Sequence, residues 1–378
     1  MVDKMIRLSK STISKHEKDA VMGVLDREFL GMGPEVFEFE EMLSNYFNKT
    51  ALCVSTGTAA LQLSIQACGI GPGDEVLVPS ITYVASFQAI SATGAKPIAC
   101  DIDPITMIVD TEDAEKRLTP RTKAIMPVFY AGGTQGRDEI YNFAKINKLR
   151  VIEDAAHAFG SYNKGRRIGS FGDITCFSFD GIKNITSGEG GAVVTDDENI
   201  INLIKDIRLL GVEKDTNKRK IQQRSWDFDV SHQGWRYHMS SIMAAIGIEQ
   251  FKRFDELSST RMSLAKRYVQ NLKDIERVTL VNRDFEEIVP HIFPILISDL
   301  INKESLREKL LDMNIQTGIH WKPNHLLSKY LIKDTLPFPN TDNVYEIQIT
   351  MPLNADMSID DVDYVCESLK ALLSSNEH

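Results

Sequence analysis

The sequence predicts an α/β protein with a mostly parallel central sheet in a large domain, followed by a smaller α+β domain. Short apolar segments alternate with amphipathic helical segments from Ala51 to Asp197, which is the pattern of right-handed βαβ units. Beyond about Ser240 this alternation stops and longer helical segments begin. The length of 378 residues is enough for more than one domain. We therefore expect a large domain over residues 1–250 and a small domain over residues 251–378.

Two helices are expected before the first strand. Apolar residues recur at helical spacing from Lys15 to Asp26, and the turn GMGP at Gly31–Pro34 ends this stretch. A second amphipathic helix follows, in which Val36, Phe39 and Leu43 share one side.

Strands and helices then alternate. Buried strands are expected in ALCV, EVLVPS, KPIACDID, RTKAIMPVFYAG, LRVIED, GDITCFSFDG and GGAVVTDD. Helices are expected in AALQLSIQACG, TYVASFQAISATG and RDEIYNFAKINK, the first two ending at Gly69 and Gly94. The segment from Ser240 to Ile275 predicts one long helix or two, and PHIFPILIS, KESLREKLLDMN and SIDDVDYVCESLKALLSS predict a strand and two helices.

Composition excludes several classes of protein. Hydrophobic residues make up 43% and charged residues 25%, which is typical of folded globular proteins. The net charge of −10 disfavours nucleic-acid binding. The five cysteines include no CxxC pair, so we expect reduced thiols and no metal site. We find no apolar run of membrane-spanning length and no secretory signal, and expect a cytoplasmic protein without membrane contact.

The first motif with chemical meaning is CVSTGTAAL, where a strand runs through small residues into a helix. Backbone N–H groups of Gly57, Thr58 and Ala59 would point outward at this helix start, where the helix dipole favours an anion such as phosphate. An ordinary N-capped helix is the alternative interpretation.

The second motif is RVIEDAAHAFG, which places Asp154 just past a buried strand. Ligands bind at the carboxyl ends of strands in open α/β sheets. A carboxylate there needs a cationic or N–H partner, because burial alone would raise its pKa. The alternative is an aspartate that caps the next loop.

The third motif is CFSFDGIKNITSGEGGAVV. Lys183 follows an apolar strand and precedes a glycine-rich stretch, a position that suits a nucleophilic amine with a lowered pKa. A solvated loop lysine is the alternative. Together the three motifs predict one ligand with a phosphate, a carbonyl that reacts with lysine and a basic ring nitrogen, and pyridoxal phosphate has all three.

The order STGTAAL, PSITYVAS, IEDAAHAFG, FSFDGIKNITSGEGGAVV, GWRYHMSSIMAAIG and GIHWKPNH resembles the DegT/DnrJ/EryC1/StrS family. The resemblance covers nearly the whole chain. It implies a pyridoxal-phosphate-dependent nucleotide-sugar aminotransferase with the aspartate-aminotransferase-like fold, known as fold type I.

The resemblance also implies roles for individual residues. Lys183 matches the Schiff-base lysine, and Asp154 matches the carboxylate that keeps the pyridine nitrogen protonated. The phosphate cup is matched by Gly57, Thr58 and Ser178.

Two aromatic residues complete the implied cofactor site. Tyr83 matches the ring that stacks on the cofactor, with a core tyrosine as the alternative. His157 matches a position, Gln or His in the family, near the cofactor hydroxyl.

Four further residues are candidates around the substrate. Arg236 and His238 lie in a loop that reaches the partner subunit's site in the family, where other residue types are more usual, and both are candidates for phosphate or substrate contact. His320 matches a loop near the sugar nucleotide, although a structural histidine is an equal alternative. Lys164 belongs to a basic turn that can steer a diphosphate, or can simply be solvated.

The implied reaction moves an amino group from L-glutamate to a nucleotide-linked 4-keto-6-deoxyhexose. A dTDP-4-amino-4,6-dideoxyglucose-type product for surface polysaccharide, such as lipopolysaccharide O-antigen, is favoured. Amination at C3 stays open, whereas Lys183 argues against a pyridoxamine-dependent 3-dehydratase, which carries His there. A non-catalytic regulatory relative is the third alternative. The resemblance also implies a homodimer with active sites at the interface.

Overall fold

Seven strands form the large sheet of this computed structural model, which describes residues 4–221, 223, 226–300, 302–331 and 336–374. Each is a run of four or five residues, and those at Glu75–Pro79, Ile174–Ser178 and Gly191–Thr195 are buried throughout. The strands are β1 (Thr50–Val54), β2 (Glu75–Pro79), β3 (Lys96–Cys100), β4 (Thr122–Ile125), β5 (Arg150–Asp154), β8 (Ile174–Ser178) and β9 (Gly191–Thr195). The short strands β6 (Tyr162–Asn163) and β7 (Arg166–Arg167) form a separate hairpin.

The order in the large sheet is β1-β9-β8-β5-β4-β2-β3. β9 runs antiparallel to both of its neighbours, and the remaining pairs are parallel. The predicted mostly parallel sheet is therefore confirmed. Because β9 is reversed, its start lies beside the ends of β1 and β8, where Gly191 pairs with Val54 and Ser178. The carboxyl ends of β1 and β8 and the start of β9 therefore lie at the same edge of the sheet.

Helices cover this sheet or precede it. They are α1 (Lys15–Asp26), α2 (Pro34–Phe47), α3 (Gly57–Ala67), α4 (Val84–Ala92), α5 (Thr111–Lys116), α6 (Arg137–Asn147), α7 (Glu198–Ile207) and α8 (Asp215–Lys220). The first helix has the predicted bounds. Its start is fixed by a capping box, in which Ser14 accepts from the helix backbone and Glu17 accepts from the Ser14 N–H.

The segment from Ser240 to Ile275 forms two helices, α9 (Ser241–Lys252) and α10 (Phe254–Leu272), separated at Arg253. This resolves the choice between one long helix and two. Residue Arg253 has φ −97° and ψ 6°, so it leaves the α-helical geometry.

A second, antiparallel sheet forms the C-terminal part, in the order β10-β11-β12. Its strands are β10 (Val278–Leu280), β11 (Phe293–Ile297) and β12 (Gln348–Met351), and its helices are α11 (Lys303–Asp312), α12 (Pro339–Ile347) and α13 (Ile359–Ser374). Ile6 pairs with Ile315 and belongs to the same apolar cluster. A segment from the start of the chain thus joins this core, and the domain limits at residues 250 and 251 stay a prediction.

The five cysteines are free thiols, and all except Cys68 are buried. None of the helices in the described part of the chain combines the length and apolarity that crossing a bilayer requires. Within the same residues, no three His, Cys, Asp or Glu side chains are grouped as metal ligands.

Candidate active site

A cavity of about 550 Å³ opens at the edge where the strands of the large sheet end. Loops after β1, β2, β4, β5 and β8 line one side of it, and residues around positions 291 and 320 close the other side. The predicted residues that line it are Gly57, Thr58, Tyr83, Asp154, His157, Ser178, Lys183 and His320. The structure therefore brings these eight residues together in one site.

The start of α3 forms one end of the cavity. Thr56 caps the helix, because its Oγ1 accepts a 3.0 Å hydrogen bond from the Ala59 N–H. Among the described residues, the Gly57 and Thr58 N–H groups have no hydrogen-bond partner. A Cβ atom at Gly57 would lie 2.8 Å from Ser178 Cβ, so only glycine permits this close approach. The result is a cradle of N–H groups suited to an anion.

Asp154 lies at the carboxyl end of β5, deep in the cavity. Its Oδ2 accepts a 2.8 Å hydrogen bond from Ser86 Oγ, and its Oδ1 accepts a 3.2 Å bond from the Ala156 N–H. Burial raises the pKa of Asp154, although both hydrogen bonds and the positive charge of Lys183 act in the opposite direction. A cationic N–H donor bound at this point would give the Asp154 carboxylate a positively charged hydrogen-bond partner, which Ser86 and Ala156 do not provide.

The Lys183 side chain enters the cavity from the loop between β8 and β9. The loop is held by backbone bonds from Ser187 N–H to Phe179 O and from Phe179 N–H to Gly190 O. Burial lowers the pKa of Lys183 to about 8, against the effects of Asp180 and Asp154, which raise it. At pH 7 about a tenth of the amine is therefore unprotonated, far more than at the usual lysine pKa, and this is the form that a nucleophile requires.

Three imidazoles surround this amine: His157, His291 and His320. The rings of His157 and His291 lie 4.3 Å apart, centroid to centroid. Burial, together with the positive charge of Lys183, lowers the pKa of all three, that of His320 to about 4. The Ala131 N–H donates to His157 Nδ1 at 3.3 Å, so the proton of this neutral ring lies on Nε2.

Aromatic rings form the mouth of the cavity. Tyr83 is 57% exposed, and its ring lies 5.8 Å from that of Trp321. The Trp321 ring also lies 5.1 Å from His157 at an interplanar angle of 32°. Tyr83 thus lies at the rim, and its predicted stacking on a bound cofactor stays a prediction.

Three predicted residues lie outside the cavity of this chain. Arg236 is exposed, and His238 forms a β-bridge with Val54. Burial, with Arg219 and Arg236 nearby, lowers the pKa of His238 to about 4. Neither residue lines the cavity, so their contact with phosphate or substrate stays a prediction.

Lys164 lies in the exposed turn between β6 and β7 and forms a 2.6 Å ion pair with Asp138. It lines a different surface depression. Contact between Lys164 and a substrate stays a prediction.

Sequence reasoning missed two residues of the site. The sequence places Ser86 in a predicted helix and His291 in a predicted strand, and indicates no functional role for either. A serine one turn into a helix carries no sign of its long-range partner. The histidine is preceded by Pro290 at the start of a strand, and this break in the apolar run was the available signal.

Comparison with known proteins decides the family. The model of the DegT/DnrJ/EryC1/StrS aminotransferase family matches residues 11–370. The chain belongs to this family. The predicted resemblance is thereby confirmed over nearly the whole chain.

Relatives of known sequence and structure agree with this assignment. Protein MJ1066 of Methanocaldococcus jannaschii is 38% identical over 374 residues, which is 96% of each chain. The spore coat polysaccharide biosynthesis protein SpsC of Bacillus subtilis is 35% identical over 370 residues, 96% of this chain and 95% of SpsC. Spr1654 of Streptococcus pneumoniae, assigned as a sugar aminotransferase, superposes with a TM-score of 0.91 at 29% identity, covering 98% of this chain and 99% of that one.

The protein is therefore a pyridoxal-phosphate-dependent sugar aminotransferase of fold type I. Spr1654 has been solved in pyridoxal-phosphate and pyridoxamine-phosphate forms. The cavity fits this cofactor, since the free N–H groups of α3 suit its phosphate, Asp154 suits a protonated ring nitrogen and Lys183 suits its aldehyde. When bound, the cofactor supplies an electron sink and carries the amino group between two substrates.

Proposed function

We propose that this enzyme transfers the amino group of L-glutamate to a nucleotide-linked 4-keto-6-deoxyhexose. The product would be of the dTDP-4-amino-4,6-dideoxyglucose type and would serve surface-polysaccharide synthesis. One observation carries the proposal: an N–H cradle, a buried carboxylate and a lysine with a lowered pKa line the same cavity. The similarity to a spore coat polysaccharide protein supports the pathway class.

The inner end of the cavity binds and orients the cofactor in this proposal. Gly57 and Thr58 donate their backbone N–H groups to its phosphate, and Ser178 adds its hydroxyl. Asp154 accepts from the ring nitrogen, and Ser86 fixes the carboxylate through the 2.8 Å hydrogen bond. Positioned partners of this kind cost little reorganisation when the reaction proceeds.

Lys183 is the residue that moves protons. Its pKa of about 8 lets the amine both accept and release a proton near neutral pH. His157 carries its proton on Nε2, because Nδ1 accepts from Ala131. This proton can be donated to the hydroxyl oxygen of the cofactor, and the ring stays neutral because its pKa lies well below the usual value.

The outer end of the cavity receives the sugar. His320 Nδ1 is 2.9 Å from Thr350 Oγ1, which leaves its Nε2 for a substrate oxygen. Trp321 and Tyr83 present apolar ring surface beside it. A 6-deoxy sugar has a methyl group that can pack on such rings and hydroxyl groups that can bond to the imidazole. The sugar and the outer end of the cavity are therefore complementary.

A panel of nucleotide keto sugars tests this proposal. The full-length enzyme, loaded with pyridoxal phosphate, is given L-glutamate and 3-keto or 4-keto 6-deoxyhexoses linked to dTDP, UDP or GDP. Mass spectrometry detects the amino product, NMR assigns the aminated carbon, and Lys183→Ala is the control. We expect amination at C4 of the dTDP sugar. Exclusive amination at C3 contradicts the assigned position, and no product from any sugar contradicts the assigned substrate class.

We also propose a homodimer in which each chain completes the other's site. Large apolar side chains are exposed on the segment that precedes Arg236, among them Trp226 at 87%, Phe228 at 54% and Val230 at 48%. Exposed apolar surface of this kind marks an interface. Light scattering should give the mass of two chains, and a monomer would contradict this arrangement. The free cysteines suit the cytoplasm, where we place the enzyme.

A further inference from the structure

The Lys183 amine has a hydrogen-bond partner on the far side of the cavity. Its Nζ atom lies 3.4 Å from His291 Nε2, and His291 is 4% exposed. The other ring nitrogen, Nδ1, has no partner among the described residues. The imidazole therefore packs against the His157 ring, and its one side-chain hydrogen bond among the described residues is directed at Lys183.

The backbone of His291 is held by a buried arginine. Arg261 of α10 is 3% exposed and donates from Nη1 to His291 O at 3.2 Å and to Leu353 O at 3.3 Å. Across the described residues, no carboxylate forms an ion pair with this guanidinium. A buried arginine is usually paired with an acid, so this one leaves a positive charge uncompensated inside the protein.

We propose that His291 and Arg261 act together on Lys183: His291 orients the amine through Nε2, and Arg261 holds the His291 backbone and places a buried positive charge near that amine. The assignment rests on the proposed function of Lys183. His291 touches the reacting nitrogen, whereas Arg261 acts through His291 and through its charge and is a positioning residue.

The surrounding charges determine the sign of the effect on Lys183. The titratable groups around the amine are Asp154, Asp180, Glu189, His157, His291, His320 and Arg261. Burial is the largest cause of the lowered pKa of Lys183, the two aspartates raise it, and Arg261 lowers it. Burial also lowers the pKa of Arg261 to about 10, which leaves it charged at neutral pH. Loss of this charge should therefore raise the pKa of Lys183.

The same arrangement keeps His291 neutral. Burial lowers its pKa well below the usual value, and Lys183, His157 and Arg261 lower it further. A neutral imidazole has one donor and one acceptor nitrogen. It can therefore hold either the protonated or the unprotonated form of the amine without adding a second positive charge beside it.

Chemical labelling of Lys183 in the full-length chain freed of cofactor tests the charge effect without relying on turnover. Acetic anhydride is applied across a pH series, and mass spectrometry measures the labelling rate of the Lys183 peptide. The variants are Arg261→Gln, which keeps an N–H donor without the charge, and Arg261→Lys, which keeps the charge. Arg283→Gln is the matched control, because Arg283 is half-buried, has a pKa that burial also lowers to about 10, and donates to Tyr130 O and Thr106 O.

We expect the labelling midpoint of Arg261→Gln to rise by about one pH unit, so that labelling near pH 7 slows about tenfold. Arg261→Lys and Arg283→Gln should keep the wild-type midpoint. An unchanged midpoint in folded Arg261→Gln overturns the proposal, and so does an equal shift in Arg283→Gln, since the effect would then not be specific to Arg261.

His291→Gln tests the orienting role and decides the matter if Arg261→Gln does not fold. We expect kcat to fall at least about tenfold, with the KM for glutamate within about twofold and cofactor still bound at Lys183. Unchanged kcat overturns the proposal, as does a loss confined to KM. Failure of the proposed function is separate: it appears as wild-type protein that takes up no pyridoxal phosphate on Lys183.

Discussion

The hydroxyl of Ser86 donates a 2.8 Å hydrogen bond to Oδ2 of Asp154. The two residues are 68 positions apart in the chain and both are buried. Thr82 Oγ1 lies 3.0 Å from the same serine oxygen, so the loop after β2 and the first turn of α4 support the carboxylate. The carboxylate is therefore oriented before any cofactor binds.

Ser86→Ala should lower kcat without preventing folding. A hydrogen bond to a charged group contributes about 1.5–3 kcal/mol, which corresponds to a loss of about 10- to 150-fold in kcat. The control is Ser91→Ala on the same helix, whose hydroxyl donates to Phe87 O at 2.9 Å, remote from Asp154. Steady-state kinetics compares the two variants. Equal activity of Ser86→Ala and Ser91→Ala would show that the contact with Asp154 is not used.

Asp154→Asn should lose nearly all activity while the fold stays intact. The amide keeps the shape of the side chain but carries no negative charge to hold a proton on the ring nitrogen. Circular dichroism and thermal melting check the fold, and glutamate turnover measures the loss. Turnover at the wild-type rate would remove Asp154 from the site.

Gly57→Ala should weaken cofactor binding. The added Cβ would lie 2.8 Å from Ser178 Cβ and 3.0 Å from Ser178 Oγ, so the start of α3 must move away from β8. We expect the Kd for pyridoxal phosphate to rise about tenfold or more, which is about 1.4 kcal/mol. Gly31→Ala is the control, because a Cβ there meets no atom within 4 Å. Equilibrium titration that finds the same Kd for both variants would exclude the proposed phosphate cradle.

Glu17 should make the stability of the fold depend on pH. Burial alone would raise its pKa, but hydrogen bonds from Ser14 and Gln250 outweigh this effect and lower the pKa to about 2 from 4.5. Because the folded pKa lies below the unfolded one, the stabilisation is fully present above about pH 4.5 and is lost as the pH falls toward 2. The shift corresponds to about 3 kcal/mol.

Urea unfolding at pH 7 and pH 3 measures this contribution. Glu17→Gln should be less stable than the wild type at pH 7, and the difference should shrink at pH 3. Exposed Glu38 supplies the control, and Glu38→Gln should change little at either pH. A difference between Glu17→Gln and wild type that does not depend on pH would refute the assigned role of the carboxylate.

Local sequence patterns were sufficient for most elements of the fold. The spacing of apolar residues predicts α1 and most strands of the large sheet, because the buried face of each element determines where its apolar residues fall. The sequence does not indicate that β9 is antiparallel to its neighbours, because a short apolar strand has the same residue pattern in either direction. It does not indicate the break at Arg253 either, because the apolar periodicity continues on both sides of this residue.

The site was predictable where its residues follow strand ends in recognisable motifs. Gly57, Asp154 and Lys183 are of this kind, and the structure places them in one cavity. The pairing of His291 with Lys183, and of Arg261 with His291, does not follow from the sequence, because the partners are 30 or more positions apart and only the tertiary fold brings them near. Roles for Arg236 and His238 stay predictions, because neither residue lines the cavity of this chain.

Lys183→Ala should separate binding from reaction. The N–H cradle of α3 and Asp154 remain, so the variant should still bind cofactor without a covalent link, and it should lose turnover almost completely. Dialysis followed by absorbance measures retained cofactor, and glutamate turnover measures the reaction. Normal activity in this variant would refute the assigned role of Lys183.

Borohydride reduction followed by peptide mass spectrometry tests the central claim most directly. The full-length enzyme is incubated with pyridoxal phosphate, reduced, digested and sequenced by mass. We predict that the cofactor mass is fixed on Lys183 and that Lys183→Ala carries none. A cofactor mass fixed on a different lysine, or a wild-type protein that stays colourless and unmodified, would contradict the account.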